Sequence, residues 1–361
     1  MDILQSCYET EIPKVKFLER KITITHPKTL LKGPPSAGKT YLIYDFLARF
    51  SKSDYLYLDF LDLRNDFGKF RDTFKNSLEN FINKNKIKIL VLENFDFDFQ
   101  LLYCDNIIIT SKQDFCPFGF KILKLMPLDF EEFLLHESKF QNITASFNAF
   151  FRFGNFSELV NLDEPLKIKR MQEILRLNTK DEIELSCLRI FFDSIGEKKS
   201  LLQLFGNLKK INKISKDRFY NLSNKYLENS WIFFLQKYKN PKAVKKIFTY
   251  NHAFLNLSSY NKKFKNEFEN MVFLELLKLN EEIYYLDNAD FFLEISNKII
   301  LASPFFSELI LEQNKEKILK SIKESSCKNL EIVTIANTNN LSFDDININV
   351  IPFYEWSLSQ S

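Results

Sequence analysis

The chain has 361 residues, 45% of them apolar and 27% charged, which is enough core material for two or three ordinary globular domains. Its net charge of +3 excludes a polycation, so any binding to nucleic acid must come from a local patch. Five widely spaced cysteines without a C-x-x-C pair argue against a zinc site or a disulfide framework. No apolar run is long enough to span a bilayer, and we expect a cytoplasmic protein.

Residues 33–40 read GPPSAGKT and match G-x-x-x-x-G-K-[ST], the phosphate-binding loop of nucleoside triphosphatases. The two glycines permit torsions and close approaches that a Cβ would block, and successive N–H groups then cradle phosphate oxygens. In this pattern Lys39 reaches the β- and γ-phosphates, and the Thr40 hydroxyl ligates Mg²⁺. The predicted nucleotide contacts are Gly33, Pro34, Pro35, Ser36, Ala37, Gly38, Lys39, Thr40 and Tyr41.

The surroundings of this loop favour an α/β fold. A short apolar strand precedes it, and an amphipathic helix over 40–50 follows it. Strands and helices then alternate, which predicts a parallel sheet with helices on both faces. The predicted strands cover 28–31, 54–60, 87–92 and 105–111, and a second helix covers 62–83.

A second signature is expected where the buried strand over 87–92 ends. Phosphate-loop ATPases usually place there an Asp that serves Mg²⁺ and a Glu that activates water, but this chain has Glu93 and Asn94. Glu93 can still serve the metal together with Thr40, whereas Asn94 can orient a water but cannot accept its proton. Either hydrolysis is weak or lost, or a nearby carboxylate such as Asp96 or Asp98 substitutes.

Two hydroxyl residues close the strand predicted over 105–111. Thr110 and Ser111 are candidates to sense the terminal phosphate, and Ser111 is included among the predicted nucleotide contacts. Polar residues also commonly end strands, so a structural role stays open.

The middle of the chain reads as three helices and a strand. Residues 182–238 are predicted to form a first helix with Leu188, Phe191 and Phe192 on its apolar face, then helices over 201–208 and 215–229 and a strand over 231–235. Ser215 is the predicted N-cap of the third helix. This order is typical of a winged helix whose recognition helix covers 215–229.

Basic residues cluster in the same region. Between residues 201 and 250 only Asp217 and Glu228 oppose eleven basic residues, which leaves a local charge of +9. Such a segment would attract the phosphates of double-stranded DNA, although a solvated face or a protein contact would look alike in sequence. The basic residues are Lys209, Lys210, Lys213, Lys216, Arg218, Lys225, Lys237, Lys239, Lys242, Lys245 and Lys246.

Three further stretches resemble motifs of one group of proteins. Residues 125–134 (LMPLDFEEFL) resemble "L-x-P-L-S-F-x-E-F", residues 150–157 (FFRFGNFS) resemble "Y-x-x-Y-G-G-F-P", and residues 348–356 resemble a closing "I-x-V-I-P-L-W" strand. In this order they resemble the prokaryotic, including bacterial, AAA-superfamily ATPases that carry an uncharacterised, nuclease-like C-terminal domain. The resemblance implies ATP as the nucleotide. It also makes Arg152 a candidate arginine finger, beside the simpler reading of an exposed structural arginine.

With the resemblance, the predicted architecture has three parts. Residues 1–160 form an AAA-type P-loop domain, residues 161–255 a winged-helix-like helical domain, and residues 256–361 a small α+β domain of restriction-endonuclease-like shape. No protein partner can be predicted from these motifs.

The C-terminal part departs from the nuclease pattern. Residues 269–276 resemble the family's "E-N-x-V-x-x-E-L", and Asp290 matches its "D-F". The resemblance implies an acidic residue and a Lys on the next strand, yet residues 299–304 read IILASP. We therefore expect an inactive domain in which Glu269 and Glu275 are surface or helix-capping charges.

Three functions follow from these patterns. The first is an ATP-binding, slowly hydrolysing ATPase whose nucleotide state controls the attached domains. The second is a scaffold that holds ATP without hydrolysing it. The third is a DNA-associated ATPase of mobile-element or defence biology.

Overall fold

The structure is a computed structural model of the whole chain. It describes residues 3–14, 16–65, 71–95, 104–113, 115–139, 142–258, 263–279, 281–343 and 346–360. The chain divides into two compact units, Met1–Met126 and Pro127–Ser361, and the three-domain division stays a prediction. Buried residues of the second unit such as Leu128, Phe130 and Val160 share a core cluster with the C-terminal elements.

A five-stranded parallel sheet forms the centre of the first unit. Its order is β2-β3-β4-β1-β5, so β4 lies between the strand that precedes the glycine-rich loop and the strand that ends at Glu93. The strands are β1 (Lys28–Lys32), β2 (Tyr55–Asp59), β3 (Ile89–Glu93), β4 (Asn106–Thr110) and β5 (Lys121–Lys124). The first four confirm the sequence prediction to within two residues at either end.

Helices cover both faces of this sheet, as predicted. They are α1 (Ile3–Glu9), α2 (Lys39–Leu47) and α3 (Arg71–Asn85). Alternate strand residues point to opposite faces, so Leu31 and Val91 pack with α2, while Leu30 and Leu90 pack with α1 and α3. Burial on both faces explains why the strands read as nearly continuous apolar runs.

The second unit begins with helices. They are α4 (Phe130–His136), α5 (Ile143–Phe153), α6 (Glu164–Leu177), α7 (Glu182–Phe192), α8 (Leu201–Lys209) and α9 (Lys216–Glu228). Ser215 caps α9 as predicted, because its side chain accepts a hydrogen bond from the backbone N–H of Arg218. The later helices are α10 (Leu255–Ser258), α11 (Phe264–Leu276), α12 (Glu308–Ser325) and α13 (Phe353–Ser359).

Eight strands form the mixed sheet of the second unit, in the order β12-β13-β11-β10-β9-β8-β6-β7. They are β6 (Ile232–Lys237), β7 (Lys246–Thr249), β8 (Ile283–Tyr285), β9 (Phe291–Leu293), β10 (Lys298–Ala302), β11 (Asn329–Thr334), β12 (Asn339–Phe343) and β13 (Ile346–Pro352). The β6–β7 hairpin follows α7, α8 and α9, which is the predicted order of elements. It joins the C-terminal sheet through parallel pairing of β6 with β8, so the winged helix itself stays a prediction.

The chain end differs from the predicted closing strand. Only the part up to Pro352 is extended, and α13 follows it. Pro352 occupies the N-cap with a φ of −65°, and Phe353 and Trp356 are buried one turn apart, so a helix buries both rings. Within the described ranges, no helix combines the length and the apolar character needed to cross a membrane.

Candidate functional site

The glycine-rich loop connects β1 to α2, and its two outer glycines are required by its geometry. A Cβ on Gly33 would overlap the carbonyl oxygen of Leu125. Gly38 has a φ of 93°, in the left-handed region, directly before the first turn of α2. The helix N-terminus therefore opens onto the loop with its backbone N–H groups unpaired within the helix, which suits an anion.

Arg20 holds this loop from the side. Its guanidinium donates one hydrogen bond to the carbonyl oxygen of Ala37 at 2.9 Å and another to that of Met126 at 2.8 Å. These bonds tie the loop to the chain that follows β5. Arg20 lies 17 residues before Ala37, in a stretch without a motif, and sequence reasoning missed it.

The Lys39 side chain folds back over the loop. Its Nζ donates to the carbonyl oxygens of Gly33 at 2.9 Å and Pro34 at 2.8 Å. Desolvation lowers the pKa of Lys39 to about 8, against the attraction of Glu93, and the charge of Lys112 lowers it further. A cation held mainly by neutral carbonyls would gain from a nearby phosphate.

Thr40 and Glu93 meet, as expected for a metal-binding pair. The Thr40 hydroxyl donates to Oε1 of Glu93, and the Tyr57 hydroxyl donates to Oε2. Glu93 is only 5% exposed, and its desolvation raises the carboxyl pKa despite the two hydrogen bonds. The result is a buried carboxylate, fixed by two hydroxyl groups, at the end of β3.

Asn94 is oriented by two neighbouring strands. It has a φ of 55°, its backbone N–H donates to Oγ1 of Thr110 at 2.8 Å, and its Nδ2 donates to Oδ1 of Asp59 at 2.9 Å. Asp59 thus places a carboxylate directly beside the amide that replaces the expected Glu. The alternatives Asp96 and Asp98 lie outside the described residues.

Sequence reasoning also missed Tyr57 and Asp59. Both lie on β2, two residues apart and therefore on the same face, and Asp59 is in register with Glu93. The pattern Y-L-D at the end of a strand was the available signal. It becomes informative only once β2 is known to lie beside β3.

The other residues predicted to contact the nucleotide make fewer contacts with the loop and Glu93. The Tyr41 ring is 55% exposed, and Oγ of Ser111 accepts the backbone N–H of Gln113 at 3.1 Å. Thr110 is buried, and its Oγ1 accepts a hydrogen bond from the backbone N–H of Asn94. Arg152 belongs to the second unit, where its exposed guanidinium lies 3.4 Å from Glu164, and its role as an arginine finger stays a prediction.

In the second unit, Glu269 and Glu275 contradict their predicted surface position. They are 3% and 2% exposed, respectively. Glu275 does cap a helix, as the alternative prediction had it. Its Oε1 accepts a hydrogen bond from the backbone N–H of Phe130, in the first turn of α4, at 2.9 Å. Glu269 instead pairs with Lys246, a member of the predicted basic segment that is itself buried.

Acidic residues from outside the basic segment reduce its charge. Arg218 pairs with Asp181, Lys225 with Glu184 and Lys237 with Asp287, and Lys246 pairs with Glu269 and Asp290. The local charge of +9 therefore overstates the positive electrostatic potential of residues 201–250. The exposed lysines that remain on α8, α9 and the nearby loops include Lys209, Lys210, Lys213, Lys216, Lys239 and Lys242.

No family model matches the chain. The chain is similar to an uncharacterized protein of Methanocaldococcus jannaschii, MJ1544, with 26% identity over 418 aligned positions that cover 96% of this chain and 90% of that protein. A solved structure, the Walker-type ATPase PABY2304 of Pyrococcus abyssi, aligns with 62% of this chain and 88% of its own at 16% identity and a TM-score of 0.37. That score is too low to compare the folds, so the nature of the ligand is inferred from the loop itself.

Proposed function

We propose that the protein binds ATP with Mg²⁺ at the loop between β1 and α2 and hydrolyses it slowly. The observation that carries this proposal is the Lys39 ammonium folded over the loop next to the hydrogen-bonded pair of Thr40 and Glu93, in a loop where a Cβ on Gly33 would overlap a carbonyl oxygen. An ammonium group, a helix N-terminus and a buried hydroxyl–carboxylate pair are the parts that P-loop enzymes use to hold a triphosphate. AAA-superfamily membership is part of the same proposal and rests on the sequence motifs.

The residues fit a bound magnesium ion. Mg²⁺ prefers oxygen ligands and is usually held by one or two carboxylates together with substrate phosphates, so Thr40 and Glu93 would hold it here. When bound, the metal neutralises the charge that develops on the phosphate oxygens. Tyr57 would keep Glu93 oriented by the hydrogen bond to its second oxygen.

The expected slow turnover follows from Asn94. Its amide can orient the attacking water, but it cannot take the proton that a carboxylate would accept. Asp59, hydrogen-bonded to that amide, is the carboxylate that would take this proton in its place. We propose that the nucleotide state then controls how the winged-helix-like and C-terminal segments act.

Calorimetry and phosphate release on purified protein test the proposal. Wild type should bind ATP in the presence of Mg²⁺ and release phosphate slowly, whereas Lys39→Ala should abolish binding without unfolding the protein, because Lys39 supplies charge and little packing. Lys121→Ala, at an exposed lysine of the same unit, is the matched control. Equal ATP affinity in Lys39→Ala and wild type would refute the site, and binding without any phosphate release would favour the non-hydrolysing scaffold.

A further inference from the structure

A cluster of buried charges lies in the second unit. Nζ of Lys246, at the start of β7, contacts Oε1 of Glu269 on α11 and lies 3.4 Å from Oδ1 of Asp290, just before β9. Oδ2 of Asp290 accepts the backbone N–H of Ala302 at 2.9 Å. The Lys246 side chain is 8% exposed, so the ammonium is held almost entirely by the two carboxylates.

The electrostatics of this cluster favour an internal cation. Desolvation acts to lower the pKa of Lys246, but the charges of Glu269 and Asp290 outweigh it and the net direction is upward. Desolvation raises the pKa of Glu269 to about 7, and the charge of Asp290 adds to this shift. The ammonium therefore stays charged and occupies the space between the two acids.

The Lys246 ammonium occupies the position between the two acids. A dication there would lie beside a buried ammonium in a medium where like charges repel strongly. Within the described ranges, no group of three or more His, Cys, Asp or Glu side chains could hold a metal ion. Lys246 thus supplies the positive charge that a metal would otherwise bring.

Two members of the cluster, Lys246 and Asp290, line a cavity of about 360 Å³, within the size range of small-ligand sites. Its charged lining consists of Lys198, Lys246, Lys265, Lys317, Asp287 and Asp290. Asp287 is paired with Lys237 at 2.5 Å. Counting Glu269 and Lys237, five ammonium groups face three carboxylates, which leaves an excess of two positive charges.

Lys198 contributes positive charge to the cavity that no carboxylate neutralises among the described residues. Its backbone pairs with that of Lys246, and its Nζ lies 4.5 Å from the centroid of the Tyr285 ring. Among the described residues no carboxylate forms an ion pair with Lys198, and desolvation together with the charge of Lys246 lowers its pKa. An anion in the cavity would relieve this repulsion.

We propose that this cavity binds a phosphate group, supplied either by a nucleic-acid backbone or by free phosphate, without hydrolysing it. Lys246 provides a buried charge in the lining, and the exposed Lys198, Lys265 and Lys317 supply further ammonium groups to the anion. Lysine is a common phosphate ligand as a point charge, and these three residues are exposed. Nζ of Lys265 lies 3.8 Å from Oδ1 of Asp290, and Nζ of Lys317 donates to Oδ1 of Asn314 at 3.2 Å, so a phosphate would compete with one carboxylate and one amide.

Binding measurements on the full chain distinguish the two phosphate sources. A labelled single-stranded oligonucleotide is titrated by fluorescence anisotropy, and inorganic phosphate is titrated by calorimetry. The double variant Lys198→Gln/Lys265→Gln should weaken binding of the active probe by at least about tenfold, because two counter-charges of the phosphate are lost. Lys320→Gln, an exposed lysine of α12 outside the cavity lining, should leave that affinity unchanged.

All of these titrations are made in a Lys39→Ala background, because the loop of the first unit would otherwise contribute its own phosphate binding. Oligonucleotide binding alone would identify a backbone phosphate, and binding of inorganic phosphate would identify the free anion; either supports the proposal. Failure of both probes to bind the Lys39→Ala protein, or equal binding by the double variant, overturns it. Cleavage of the oligonucleotide with Mg²⁺ or Mn²⁺ that disappears in Asp290→Ala would also overturn it, since the acids would then be serving a metal.

Discussion

Replacing Asp59 by Asn should slow ATP hydrolysis strongly while leaving ATP binding intact. Oδ1 of Asp59 accepts a hydrogen bond from Nδ2 of Asn94 at 2.9 Å, and in the proposed mechanism this carboxylate accepts the proton of the attacking water. Losing a general base typically slows a reaction by about 10²–10⁴-fold. This range corresponds to a barrier increase of about 2.7–5.4 kcal/mol.

The reciprocal change, Asn94→Asp, should not raise the rate. It would remove the amide donor and place a second carboxylate against Asp59, and two like charges 4 Å apart repel by about 4 kcal/mol at an effective dielectric constant of about 20. That repulsion keeps a proton on one of the two acids at neutral pH. The exchange Asp59→Asn/Asn94→Asp retains one amide, one carboxylate and their hydrogen bond, and should recover turnover to within about tenfold of wild type.

The assay is steady-state phosphate release at saturating ATP and Mg²⁺, with ATP affinity measured separately by calorimetry. Asp45→Asn is the matched control, since this acid of α2 pairs with Arg49 on the exposed helix surface, at 2.7 Å. Wild-type turnover in Asp59→Asn would show that Asp59 does not accept the proton. An exchanged pair no faster than either single variant would show that the two residues do not act as a unit.

Tyr57→Phe should raise the Mg²⁺ concentration needed for ATP binding by about 10–100-fold, because Glu93 loses a hydrogen-bond donor, and calorimetry without Mg²⁺ should show no change. The pKa of Lys39 is lowered to about 8 in the free protein and should rise beside phosphate. ATP affinity should therefore be constant below pH 8 and fall above it, by up to about tenfold per pH unit, and a flat calorimetric profile to pH 10 would contradict this. DNA retention, if present, should weaken steeply with salt, and the slope should flatten when three exposed lysines are changed to Glu; unchanged retention would remove the patch from consideration. The three are Lys209, Lys210 and Lys213.

Much of the first unit could be predicted because its signals are local. The apolar strands, the two glycines and the Lys39–Thr40 pair are each read from fewer than about a dozen consecutive residues. The fifth strand, Lys121–Lys124, was missed because it is an edge strand whose residues are mostly exposed, so it lacks an apolar run. Edge strands carry a weak sequence pattern for this physical reason.

Sequence reasoning missed part of the candidate site for a different reason. Tyr57 and Glu93 are 36 residues apart, and Asp59 and Asn94 are 35 residues apart. Their contacts depend on β2 lying beside β3 in one register, and neither strand order nor register can be read from the composition of a strand. From the sequence alone, Asn94 is an isolated amide, whereas in the fold it is one half of an amide–carboxylate pair.

Charge counting along the chain fails for a related reason. The count of +9 over residues 201–250 treats every basic residue as if its partner had to be local. Folding brings in acids from α7, from α11 and from the loop before β9, and these neutralise several of the counted charges. Because unpaired buried charge is costly, a lysine at a position like Lys246 is better explained by the acids that surround it than by an external partner.

At both the loop site and the buried charge cluster, a group expected on one strand is supplied by a residue of another strand. The carboxylate expected after Glu93 is absent from β3, and Asp59 supplies one from β2. The lysine expected on β10 is absent as well, and Lys246 brings an ammonium to Asp290 from β7. Side chains from different strands reach the same space at the edge of a sheet, so a group can change strand and still meet its partner. Loss of a motif residue from one strand therefore does not establish loss of the group that it would supply. The neighbour of Asn94 is a carboxylate, and that of Asp290 is an ammonium, which we propose to serve phosphate binding without cleavage.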